Sequence, residues 1–206
     1  MKHVYGGRPP KLVALIRNPV DRLVQSFWLH PHYPSRYGWS AEGLLKYARE
    51  QTMGFRACEA TDGTRRCALL FDFLRREHSD VFFHADQIIR GIYAPFVAEW
   101  HAAFGSSSLL VLRVEDLLDA PQATRKRLAL HLGIEQLAEP ASRGGGGYPS
   151  SYAAYHALSL RMGWASWASL RRERGVVGGA SAAPPALSAE ASVLLSEFYR
   201  PYNAQL

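Results

Sequence analysis

The chain has 206 residues, enough for one domain with a real core, and its 48% apolar and 20% charged content is that of a globular protein rather than a disordered one. A formal net charge of +6 and a pI near 9.5, with arginine far outnumbering lysine, favour phosphate, sulfate or polyanion partners, because guanidinium groups grip oxyanions through paired hydrogen bonds. No compact basic run with interleaved aromatics marks a nucleic-acid surface, no apolar stretch approaches a membrane span, and the opening MKHVYGGRPPK is not a signal peptide.

The first element is the apolar, partly β-branched run Leu12-Val13-Ala14-Leu15-Ile16, which reads as a strand buried on both faces of a parallel sheet. Arg17 follows, then Asn18-Pro19 and apolar residues at Val20, Leu23, Val24 and Phe27. That spacing predicts a helix from Pro19 to about His30, with Asn18 as its cap and Pro19 in its first turn. An arginine leaving the carboxyl end of a strand where a helix begins suits an anion, because ligands of open α/β sheets bind in that crevice and helix N-termini favour negative charge. A solvated cap, or an ion pair with Asp21, is the structural alternative for Arg17.

HPHYPSRYGW is expected as a loop, with His30 and His32 beside the crevice, and Ser40 opens a helix carrying Leu44, Leu45 and Ala48. Cys58 and Cys67 flank the turn signal Asp62-Gly63; a disulfide loop and two buried thiols are both compatible with that spacing. A short helix is expected after Cys67. Residues at three- and four-residue spacing from Ile89 to Phe104, including Ile92, Tyr93, Phe96 and Trp100, predict one amphipathic helix over 86–104. Leu109 to Val114 reads as a second buried strand, Glu115-Asp116-Leu117 as a turn, and Ala120-Pro121 as the start of a helix with Ala123, Leu128, Leu130 and Leu132 inside and Gly133 as its stop. This order is that of a parallel α/β sheet. Residues 135–187 combine a helix with low-complexity loops, and a last helix is expected from Ser188 to about Tyr199, so that 11–134, 135–187 and 188–206 form one α/β domain.

Four stretches, in order, resemble sulfotransferases that use 3′-phosphoadenosine 5′-phosphosulfate (PAPS), of the Golgi glycan type that includes the heparan sulfate and N-acetylgalactosamine 4-sulfate 6-O-sulfotransferases. They are LIRNPVDRL; Gly91-Ile92-Tyr93 with Trp100 and Phe104; LLVLRVEDLLDAPQATRKRLALHLGI; and the terminal LLSEFYRPYNAQL. The resemblance implies a P-loop-NTPase-like sulfotransferase fold, PAPS as cofactor, a glycan hydroxyl as acceptor (an anionic polysaccharide in the enzymes it resembles) and a Golgi location. It also implies a pairing of Cys58 with Cys67.

Residue by residue, Arg17 matches the family arginine that binds the cofactor's 3′-phosphate. The family serine lies eight residues after that arginine, where this chain has Gln25, with Ser26 one position later. One residue turns a helical side chain by roughly 100°, so Gln25 and Ser26 are both candidates. Arg172 and Arg174 come nearest to the family's basic loop over the cofactor, with solvated helix-end arginines as the alternative. Glu115 and Asp116 are adjacent carboxylates that diverge in direction, which favours a structural role. The family's 5′-phosphosulfate loop and catalytic base lie ahead of the Arg17 element, so the resemblance implies the C-terminal two thirds of a sulfotransferase domain, with no catalytic residue assigned. An inactive homologue that binds nucleotide or sulfated polysaccharide is the second expectation; a nucleotide kinase fits less well, lacking a Walker lysine.

Overall fold

The computed structural model of the chain describes residues 9–69, 87–135 and 184–206. In chain order the elements are β1 (Leu12–Ile16), α1 (Pro19–Leu29), α2 (His32–Tyr37), α3 (Ala41–Asp62), α4 (Thr64–Leu69), α5 (Tyr93–Phe104), β2 (Leu109–Arg113), α6 (Val114–Asp119), α7 (Pro121–Leu132) and α8 (Ala189–Asn203), with a short 3-10 turn at Ser106–Ser108. The described residues are mostly helical with one small parallel sheet, α/β in the general sense. They fall into two compact units, Met1–Arg17 with Val97–Leu158 and Asn18–Phe96 with Ser159–Leu206.

The first unit holds the sheet. β1 and β2 pair in parallel, Leu12 opposite Leu109 and Ile16 opposite Arg113, so both strands end at the same edge. Burial corrects the expectation that β1 is covered on both faces: Leu12, Ala14 and Ile16 are half-buried, whereas Val13 is exposed and Leu15 is 57% exposed. Successive strand residues alternate between faces, and among the described residues one face of β1 is covered and the other exposed. The Lys11 ammonium donates to Ser107 O (3.2 Å), and His131 Nε2 lies 3.0 Å from Leu12 O, tying β1 to the turn before β2 and to α7.

Two local expectations change here. The Glu115-Asp116-Leu117 turn is the middle of the six-residue helix α6. In α7, Thr124 and Ala129 are buried, whereas of the residues expected inside Leu128 is half-buried and Ala123, Leu130 and Leu132 are exposed; Leu130 stands two positions from both Leu128 and Leu132 and cannot share a helical face with them. The stop is as expected: Gly133 adopts the left-handed conformation (φ 72°) and its N–H closes onto Leu130 O.

The second unit is a helical cluster around one aromatic core. α1 starts at Asn18, whose Oδ1 accepts from Val20 N (2.9 Å) and Asp21 N (3.3 Å), and it buries the apolar stripe Val20, Leu23, Val24, Phe27 and Trp28. The expected loop after it contains α2, since Pro31 suits a helix start and Tyr33, Pro34 and Tyr37 find burial. α3 is capped by Ser40 Oγ on Gly43 N (3.1 Å) and runs 22 residues, its stripe Leu44, Tyr47, Gln51, Phe55 and Cys58 facing inward at helical spacing. Capped by Ser188, α8 passes through Pro201 to Asn203, beyond the expected end at Tyr199. Phe27 meets Tyr47 at 5.4 Å between ring centroids, and Phe55 meets Phe198 edge-on at 5.8 Å. Each such buried side chain contributes about 1.5–3 kcal/mol over leaving it in water. Cys58 and Cys67 are joined at disulfide distance, and Cys67 lies inside α4 rather than before it.

The helix expected over 86–104 is interrupted: residues 87–89 are helical, 90 and 91 turn, and α5 begins at Tyr93. No helix among the described residues is long and apolar enough to cross a membrane.

Candidate functional site

β1 delivers Arg17 to the carboxyl edge of the parallel pair, where it is half-buried. The register brings a second arginine to that edge, since Arg113 is the last ladder residue of β2 and sits opposite Ile16. The sequence carries a signal for Arg113 as well, since both apolar runs are followed at once by arginine. Its charge is already answered. Arg113 Nε lies 3.7 Å from Glu115 Oε2, and its Nη1 lies 4.0 Å from Asp116 Oδ1. Glu115 and Asp116 are therefore arginine partners at the start of α6, in keeping with a structural role.

The start of α1 is closed to an anion that would rely on backbone donors. Pro19 has no N–H, Asn18 Oδ1 takes those of Val20 and Asp21, and Arg22 N donates to Asn18 O (3.0 Å). The acidic Asp21 in the first turn adds to this. Any anion held here depends on side chains. Gln25 and Ser26 lie in the second turn of α1, both half-buried. Arg172 and Arg174 lie outside the described residues, as does the helix expected over 151–172.

The most developed polar arrangement in the second unit is one the sequence did not announce. Arg22 projects from α1 and donates through Nη1 to Gln87 Oε1 (3.0 Å) and through Nη2 to Gln87 O. Tyr199 reaches the same place from α8, its fully buried hydroxyl donating to Ile88 O (3.0 Å). Burial pushes the Tyr199 hydroxyl well above its ordinary pKa, and the Arg22 guanidinium beside it pulls the other way without reversing that. Tyr199 can lie here because residue 91 is glycine: a Cβ there would stand 2.7 Å from Tyr199 Cε1 and Oη. Residues from three of the four stretches that prompted the resemblance thus meet in one packed cluster.

No family model, curated protein or solved structure matches this chain.

The remaining candidates take ordinary places. His30 and His32 pack against Tyr33, with ring centroids 6.1 and 3.9 Å away. Trp100, expected in the core, is 42% exposed and stacks on the buried Phe104 at 5.4 Å. Two further hydroxyls are tied to carboxylates: Tyr37 Oη donates to Glu50 Oε1 (2.7 Å) and Tyr202 Oη to Glu59 Oε2 (2.9 Å).

These phenols set an alkaline limit. Burial, then the hydrogen bond to Glu50 and its charge, push Tyr37 up from 10.0 to about 12, and burial with Glu59 likewise raises Tyr202. A phenol raised in the folded state favours folding fully below its unfolded value, and that contribution is lost as pH climbs through the folded value. Denaturant melts are expected to hold up to about pH 10 and to weaken steadily from pH 10 to 12, with these tyrosines ionising only as the protein unfolds. Gradual titration of every tyrosine near pH 10 with no loss of stability would contradict it.

Proposed function

We propose that this chain is a sulfotransferase, or part of one, that uses PAPS to sulfate a hydroxyl of a glycan. In that reaction the acceptor oxygen bonds to sulfur as the bond from sulfur to the phosphate oxygen breaks. The hydroxyl proton passes to a base and 3′-phosphoadenosine 5′-phosphate (PAP) leaves. No residue of this chain is assigned to those steps. The observation that carries the reading is the order of the four stretches along the chain. In support, Arg17 emerges from β1 at the carboxyl edge of a parallel strand pair, where α/β sheets bind ligands. Arg17 is assigned to the 3′-phosphate, with Gln25 or Ser26 as hydrogen-bonding partner; an anionic polysaccharide acceptor and a Golgi location belong to the same proposal.

An inactive homologue is the second reading, favoured by the satisfied backbone donors at the start of α1. Calorimetric titration with PAP tests the shared part: saturable binding is expected, weakened about tenfold or more by Arg17→Ala, the scale of one lost charge-assisted hydrogen bond. Equal affinity of the two proteins, or no binding by the unsubstituted chain, overturns the proposal. Transfer of labelled sulfate to a glycosaminoglycan separates the active reading from the inactive one.

A further inference from the structure

We propose that Arg22 is a positioning residue for the PAP site, pinning the rotation of α1 that aims Gln25 and Ser26; the inference rests on the PAPS reading above. Residues three and four apart on a helix share a face, so Arg22 lies one turn before Gln25 and Ser26 and at an azimuth between them. A rotation of α1 by roughly 100° exchanges one for the other, which is the difference between the family's serine position and this chain's. The buried stripe Leu23, Val24, Phe27 and Trp28 sets the coarse rotation of α1, and because apolar burial is non-directional a directed polar contact beside the stripe fixes it more closely.

Arg22 supplies a polar lock. Its two terminal nitrogens both hold Gln87, one through the side chain and one through the backbone carbonyl. Two directed bonds from a planar fork fix orientation as well as distance. The receiving site is itself tied down: Tyr199, fully buried, binds the next carbonyl, Ile88 O, and its ring occupies the space a Cβ of residue 91 would need. Residues 87–91 and α8 therefore form a fixed seat into which α1 is keyed by one side chain. Arg22 touches no ligand and acts through Gln25 and Ser26.

The test compares PAP affinity, helix content and melting temperature for the unsubstituted chain, Arg17→Ala, Arg22→Met, Arg22→Lys and Gln87→Ala. Arg22→Met keeps the length of the stem and removes the fork; it is expected to weaken PAP binding about tenfold at a temperature well below its melting point, with helix content unchanged. Arg22→Lys can still reach one acceptor and is expected to recover part of that affinity, a rescue that simple loss of stability would not produce. If Arg22→Met does not fold, Gln87→Ala, which removes one acceptor and leaves the backbone one, is read in its place and is expected to weaken binding severalfold. Binding by Arg22→Met (or by Gln87→Ala in its place) equal to the unsubstituted chain, while Arg17→Ala loses it, overturns the positioning role and leaves the PAPS reading standing. Absence of PAP binding in the unsubstituted chain, or its indifference to Arg17→Ala, overturns both.

Discussion

Gly91→Ala is expected to lower the melting temperature by roughly 6 to 12 °C, corresponding to about 3 kcal/mol in a chain of this size. The added methyl would sit 2.7 Å from two atoms of the Tyr199 ring and hydroxyl and 2.8 Å from a third, closer than side-chain carbons approach anything. Tyr199 has nowhere to retreat, being fully buried and packed on Phe198 at 5.0 Å. Either the 87–91 turn moves away, which strains the Arg22 bonds to Gln87, or the ring moves and breaks its bond to Ile88 O. Thermal melts of Gly91→Ala, Tyr199→Leu and the double variant distinguish this from a generic helix effect. Because the damage is the clash, the double variant is expected to be no less stable than Tyr199→Leu alone. Additive losses would show that the two residues do not press on each other.

Replacing Cys58 and Cys67 together with alanine is expected to cost about 2–3 kcal/mol, the entropy that a short closed loop removes from the unfolded chain. The melting temperature then falls by roughly 5 to 10 °C. Alanine is preferred to serine, since both positions are fully buried and a hydroxyl there would need a partner. The loss should spread beyond the loop. Glu59, next to Cys58, accepts from Thr64 of α4 and from Tyr202 of α8, so loosening α4 disturbs the carboxylate that holds the end of α8. Amide exchange is therefore expected to quicken at the end of α3, through α4 and in the last turns of α8, while α1 stays protected. An unchanged melting temperature after full reduction would show that the cross-link carries no stability.

Local features were legible without the structure wherever neighbouring residues specify them. Asn18 and Ser188 stand where a side-chain oxygen can meet free backbone N–H groups, and both helices begin there. The two short apolar runs are the strands, and Arg17 follows the first of them directly. Boundaries were weaker: α2 forms where prolines suggested a loop, and the turn at Gly91 divides a periodic stretch that reads as one helix.

What the chain determined by itself is the start of its capped helices and the place of its two strands, set by caps and strand-like runs, together with the position of Arg17 at a strand end. Tertiary structure alone decided the rest. The partner of Arg22 lies 65 positions away along the chain, and Gly91 has its meaning only from Tyr199, whose hydroxyl bonds a carbonyl 111 positions distant. The exposure of Leu15 and Leu130 was hidden for the same reason. Hydrophobicity and period say which side chains could be buried, but which face is covered depends on what packs there, and no local pattern encodes a partner so far along the chain.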